Sequence, residues 1–228
     1  MFVGHYGPSF AAKALDKDQR VPLWILFLAV QFVDVLWAIF VLLGVEKVRI
    51  VPGITASSPL DLYYMPYTHS LIGALGWSAL AFVACQLIPR LRGPRSGWLV
   101  GGAVFSHWIL DLIVHRPDLP LYDNVFKMGF GLWNYQVPSF LLEMAVLFGG
   151  AGLYLNTVTR KGRVMVFVFA MAALQFVGTF LFPPPPSDRG AAMMALLMYF
   201  LLAALAAWVG HQKRATPQPA ATSSANMN

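Results

Sequence analysis

The segment Ser106-His107-Trp108-Ile109-Leu110-Asp111-Leu112-Ile113-Val114-His115 sets two imidazoles and a carboxylate at intervals of four residues. On a helix that spacing holds the three side chains within an arc of about 80°. Neighbours at i and i+4 lie about 6 Å apart along the axis and can share one metal ion. The outer pair, His107 and His115, is about 12 Å apart, too far to share an ion easily. His115 is then left for a second ion, for a substrate, or for orienting a ligand. A His–Asp set completed by oxygen donors suits zinc, manganese or iron better than calcium.

The chain around this segment is apolar. Of 228 residues, 58% are hydrophobic and 11% charged, against about 45–50% and 25% in a soluble domain. That excludes a disordered chain and an ordinary soluble enzyme. The single cysteine, Cys85, sits in an apolar run and excludes a disulfide framework. Six stretches, 22–44, 67–88, 97–115, 136–157, 164–182 and 191–209, are long enough to cross a hydrocarbon core of about 30 Å. Backbone polar groups in lipid must be satisfied internally, so the spans are expected to be helices. The expected fold is an all-α integral membrane bundle of six transmembrane helices, with a short N-terminal interfacial or re-entrant helix. It forms one domain over 1–210, followed by a disordered cytoplasmic tail, 211–228.

The net charge of +6 is read as loop charge that orients the bundle, and nucleic acid is not expected as a partner. All basic residues except Lys47, Arg49, Arg116, Lys127 and Arg189 fall in the N-terminal segment, the 89–96 and 158–163 loops and the tail. Six spans put those four segments on one face, expected to be cytoplasmic. Both termini are then inside, and the 45–66 and 116–135 loops outside.

Ionisable groups inside a bilayer are costly and mark functional sites. The fifth and sixth stretches contain none. The rest meet at one level: Asp34 about 18 Å into the first span and Asp111 about 20 Å into the third. Glu143 enters from the opposite side, with His69, His107 and His115 nearby. A bound cation would relieve the repulsion among these carboxylates. Simpler readings stay open. Asp34 could be a lone contact between helices, and His69 an interfacial residue behind a Thr68 helix cap. Glu143 could hydrogen-bond an aromatic side chain. His5 lies on the cytoplasmic side by sequence, unless the first helix bends it toward the bundle. Trp24, Trp98, Trp133 and Trp208 lie near span ends, where an aromatic belt is expected.

Taken together, these residues resemble a bacterial family of predicted membrane-bound metal-dependent hydrolases. The matching pieces are Gly4-His5, Phe32-Val33-Asp34, Thr68-His69-Ser70, and Ser106-His107 with Asp111. His115 to Tyr122, HRPDLPLY, looks like the signature of one branch. The resemblance covers roughly 1–157 and implies His5, Asp34, His69, His107 and Asp111 as the metal-binding set. Leu36 stands where the family often carries a second acid, which weakens a two-metal site.

The expected function is a metal-dependent hydrolase of the plasma (inner) membrane. One divalent ion, zinc by preference, would activate a water against a lipid or lipid-linked ester or phosphoester. Glu143 or Asp118 is expected as general base, with His115 and Arg116 placed to meet an anionic head group. Membrane lipids are the expected partners. The alternative is a non-enzymatic membrane protein that binds or transports metal ions or protons through the same polar groups.

Overall fold

A computed structural model describes residues 1–211. The expected tail thus lies outside the described residues except for His211, which is exposed. The chain is mostly helical, 64% helix and 7% strand, so the all-α expectation is corrected by one small hairpin. A 3-10 turn, Val3–His5, leads into α1 (Tyr6–Leu15), followed by α2 (Leu23–Val30) and α3 (Phe32–Leu42). Next come β1 (Lys47–Ile50) and β2 (Leu60–Tyr64), α4 (Leu71–Leu87), α5 (Pro94–Val114), α6 (Gln136–Leu155), α7 (Lys161–Phe180) and α8 (Asp188–Gly210).

Helices α5 to α8 are each long and apolar enough to cross a membrane, and the α2–α3 pair is a fifth candidate. Helix α4 is a shorter apolar helix. Large side chains such as Leu80, Val83, Val166, Phe169, Leu197 and Phe200 point outward, an apolar surface of the kind that faces lipid rather than water.

The first span is not one helix. It is bent by 54° between α2 and α3, and the break has local causes. Val30 O, which would serve the helical ladder, accepts a hydrogen bond from His107 Nδ1 at 2.6 Å. The side chain of Gln31 donates to Phe2 O at 3.2 Å. A helix interrupted inside an apolar bundle needs other partners for its freed groups. Here those partners come from α5 and the N-terminus. The break starts α3 afresh and sets Asp34 in its first turn.

The N-terminal helix packs against the rest of the bundle. Tyr6, Gly7, Ser9 and Phe10 are buried, and α1 lies against α6 at a crossing without side chains. A Cβ on Gly7 would meet Val146 O, and one on Gly150 would meet the Gly7 backbone. Only glycine permits that approach, and it brings His5 into the bundle.

Strands β1 and β2 pair antiparallel with an irregularity between Lys47 and Arg49. The connection from α5 to α6 is clasped by Leu119–Met128 and Tyr122–Val125 bridges. Phe130 N and Gly131 N donate to Leu112 O and His115 O at 2.9 and 2.7 Å, satisfying carbonyls at the end of α5. Gly129 has φ +154°, and a Cβ there would strike the carbonyls of Arg116 and His115. Ser70, not Thr68, caps α4, accepting from Gly73 N at 3.0 Å.

Two apolar cores result. One holds Tyr6, Phe27, Val30, Val33 and Val104; the other holds Trp37, Leu62, Val114, Leu119 and Trp133. Asp34, His107 and Asp111 fall in sequence between members of the first and members of the second.

Candidate metal centre

Helix α5 buries Val100, Val104, His107, Asp111 and Val114, a stripe at helical spacing. The two polar members of that stripe are the centre of the site. His107 is fully buried, Asp111 2% exposed, and His107 Nε2 stands 3.0 Å from Asp111 Oδ2.

The other residues arrive from five places. His5 Nε2 comes from the N-terminal turn to 3.1 Å from Asp111 Oδ1, its ring stacked on His107 with centroids 3.7 Å apart. The Met1 amine lies 3.0 Å from the same oxygen. Asp34 Oδ1 lies 3.2 Å from His69 Nε2 and 3.5 Å from His107 Nε2. His69 Nε2 is also 3.7 Å from Asp111 Oδ2. His115 ends α5 with an extended backbone, φ −62° and ψ 144°. Its N–H still donates to Asp111 O at 2.8 Å, so the side chain keeps its i+4 place, and its Nε2 reaches 3.7 Å from Asp111 Oδ2. His107 Nε2 and His115 Nε2 thus converge on one Asp111 oxygen from the two sides of it along the helix, despite the roughly 12 Å between their positions on the axis.

Proton placement follows from what each Nδ1 faces. His107 Nδ1 faces the Val30 carbonyl, which only accepts. His115 Nδ1 faces the Asp118 carboxylate at 2.9 Å. His69 Nδ1 faces Thr68 Oγ1 at 2.7 Å, while that hydroxyl donates to Glu46 Oε2 at 2.6 Å. Each Nδ1 faces an acceptor and so carries a hydrogen, and each Nε2 is turned toward Asp111, Asp34 or both. Metal-binding histidines have this outer arrangement, in which the second nitrogen donates to a carboxylate, carbonyl or similar acceptor. His107 Nε2 is buried and makes no well-directed hydrogen bond among the described residues, although Asp111 Oδ2 lies 3.0 Å away. A cation would satisfy it.

Two groups have ligand atoms within 4.8 Å of one another: His5, His107 and Asp111, and Asp34, His69 and His107. The structure thus brings together all five residues expected as ligands. His107 belongs to both groups and offers one lone pair, so the groups outline one site rather than two. The residues fit a divalent ion with mixed nitrogen and oxygen donors, the set suited to zinc.

Three residues singled out in the sequence have defined partners in three dimensions. Glu143 Oε2 accepts from Phe2 N and Gly4 N at 2.9 and 3.1 Å, and Oε1 from Gln175 at 3.1 Å. Oε2 thus holds the turn that carries His5, while Oε1 is tied to α7. Arg116 pairs with Asp61 and with Asp118 Oδ2 at 3.1 Å, and Asp61 also binds Arg49 at 2.6 Å. Trp133 is buried rather than in a belt, its ring centroid 4.1 Å from His115. Lys127, in the same connection, donates to Tyr63 O at 2.8 Å. Partial burial pushes its ammonium below the usual range, opposed by Asp118 and Asp61.

Two contributors had no sequence signal. Glu46, 1% exposed, accepts from Tyr67 N, Thr68 N and the Thr68 hydroxyl. Tyr199 of α8 donates to Asp34 Oδ2 at 2.7 Å. A tyrosine in an apolar run reads as packing, and a glutamate in a loop as solvated. Between these groups lies a cavity of about 80 Å³, bounded by Asp34, His69, Asp111, His115 and Tyr199 and covered by Leu60 and Leu62 of β2 with Trp37 and Trp133.

No family model, no curated protein and no solved structure matches the chain. The functional reading therefore comes from the site.

Proposed function

We propose that the chain is a metal-dependent hydrolase of the plasma (inner) membrane, related to the membrane-bound metal-dependent hydrolases its motifs resemble. In this reading α2–α3, α4 and α5 to α8 form six spans, with both termini cytoplasmic and the hairpin outside. The observation that carries it is the convergence of His69, His107 and His115, each with its Nδ1 hydrogen taken by an acceptor and its Nε2 turned to Asp34 or Asp111. His5, Asp34, His69, His107 and Asp111 would hold one zinc ion. Bound there, the ion supplies a water whose pKa falls from 15.7 toward about 7 and a Lewis acid for the scissile group.

The remaining residues divide the work. His115 is the general base. It lines the cavity, and Asp118 at its Nδ1 fixes its tautomer and steadies the positive charge it acquires. Tyr199 holds Asp34 Oδ2, leaving Oδ1 toward the imidazoles. Glu46 and Thr68 hold His69, and Glu143 anchors the turn bearing His5. About 80 Å³ corresponds to two or three waters at about 30 Å³ each, so only a reacting head group enters. A lipid chain has a place beside it. An apolar groove of about 520 Å³ along α4 is lined by Tyr67, Ser70, Ile72, Trp77 and Leu80, and Tyr67 and Ser70 flank the Thr68-His69 pair. The substrate is accordingly a lipid or lipid-linked ester or phosphoester.

A carrier of metal ions or protons needs a polar path on both sides of the site. On the α2 side Phe27, Val30, Val33 and Val104 are buried and apolar, but Ser9, Lys13, Asp16 and Gln31 are buried there as well, so the choice between enzyme and carrier rests on the assay. Elemental analysis of purified protein beside Asp111→Ala and His107→Ala tests the reading, followed by hydrolysis assays on vesicles of ester and phosphoester lipids. About one zinc per chain, lost in both variants, together with hydrolysis supports it. Equal metal in all three proteins overturns it, and zinc without hydrolysis of any lipid favours the carrier.

A further inference from the structure

Helix α4 begins against the α5–α6 connection. Leu71 N and Ile72 N donate to Pro120 O and Leu121 O at 3.0 and 3.2 Å, and Gly73 N donates to Ser70 Oγ at 3.0 Å. Amides that a helix start leaves open are thereby used, and Tyr122 and Asp123 are carried to the head of the 520 Å³ groove along α4. Beyond this head the groove follows Ile72, Gly76 and Leu80. These are four residues apart, so they share one face of the helix over about 12 Å of its length. A Cβ on Gly76 would meet nothing within 4 Å, whereas Ile72 and Leu80 on either side are large and more than half exposed. Nothing in the packing requires glycine there, and a glycine inside a helix is less stable than alanine. Its effect is a trough between two large side chains.

The head of the groove is negative. Asp123 is the one acidic residue in its lining, which contains no lysine, arginine or histidine. Asp123 is exposed, and it makes no ion pair or hydrogen bond among the described residues. Lys127, the cation of the same connection, donates instead to Tyr63 O. Tyr67 and Tyr122, 50% and 63% exposed, line the groove together with Trp77. A carboxylate beside aromatic rings attracts an ammonium group through its charge and through the ring faces, and this lining offers a lone anion no countercharge.

We propose that the groove holds one membrane phospholipid whose head group carries an ammonium, with an acyl chain along Ile72, Gly76 and Leu80 and the ammonium at Asp123. The proposal rests on the lipid-hydrolase reading above and names its substrate class, a zwitterionic phospholipid. Tyr67 and Ser70 line the groove and flank Thr68-His69 in the chain. The linkages between chain and ammonium therefore pass beside the segment that carries His69.

The test is native mass spectrometry of the full chain purified in detergent, titrated separately with dioleoyl phosphatidylethanolamine, phosphatidylcholine and phosphatidylglycerol. The ethanolamine or choline lipid should form a one-to-one adduct at lower concentration than the glycerol lipid. Asp123 has φ +48°, a conformation asparagine also tolerates. Asp123→Asn should weaken the preferred adduct about twofold to fivefold and leave that of the glycerol lipid unchanged. Gly76→Phe fills the trough and should weaken all three at least about tenfold, while Gly178→Phe, equally open on α7, changes none. If Gly76→Phe does not purify, wild type is irradiated with a phosphatidylethanolamine bearing a diazirine on its acyl chain, and the cross-link must fall within 71–80. Preference for the glycerol lipid, an unchanged preference in Asp123→Asn, full binding by Gly76→Phe, or a cross-link confined to other helices overturns the proposal. None of these results touches zinc content or turnover, so the hydrolase reading survives them. Lipid bound as expected by a protein that holds no zinc and hydrolyses nothing overturns the hydrolase reading and, with it, the lipid's place as substrate.

Discussion

His115 is held at both ends: Nδ1 lies 2.9 Å from Asp118 Oδ1, and Nε2 lies 3.7 Å from Asp111 Oδ2. Asp118→Asn keeps the shape and removes the carboxylate that fixes the tautomer. Zinc content should stay at the wild-type level, while hydrolysis of the lipid that wild type turns over falls about 10–100-fold. Unchanged turnover would remove His115 from the role of base.

The Glu46–Thr68–His69 relay acts on metal affinity. Thr68→Val preserves volume but strands Glu46 Oε2 and His69 Nδ1, which share that hydroxyl at 2.6 and 2.7 Å. Competition against a chelator should show zinc bound about 10–100-fold more weakly. An unaltered affinity would mean that the relay does not position the imidazole.

Glu143 offers a choice between anchoring and catalysis. Glu143→Gln keeps an acceptor oxygen for Phe2 N and Gly4 N, so zinc and most of the activity should persist. Glu143→Ala strands both amides at about 1–3 kcal/mol each, and the thermal midpoint in detergent should fall. Full zinc with no activity in Glu143→Gln would return the residue to the role of general base.

Orientation is accessible through the single cysteine. In a Cys85→Ser background, an impermeant maleimide applied to intact cells should label Tyr122→Cys, whose native side chain is 63% exposed. Arg92→Cys should react only after permeabilisation. The opposite pattern inverts the bundle.

Much of the fold was legible because lipid imposes simple rules. Long apolar runs become helices, and the stretch over 136–157 maps closely onto Gln136–Leu155. His107 and Asp111 were legible together because four residues on one helix make them neighbours without help from elsewhere. The break between α2 and α3 was not. Nothing in LAVQFVD is a helix breaker, and the interruption rests on His107 taking Val30 O and on Gln31 reaching Phe2 O.

Sequence by itself determined a membrane-type helical chain and a short list of buried His and Asp residues, since composition and helical periodicity are local properties. Tertiary structure decided the rest. It bent His5 inward through the Gly7–Gly150 approach and leaned the His107 and His115 rings onto one Asp111 oxygen. It also supplied Glu46 and Tyr199 as partners to Thr68 and Asp34. These contacts join residues far apart in the chain, where only the packing of whole elements, not any spacing along one of them, sets who meets whom.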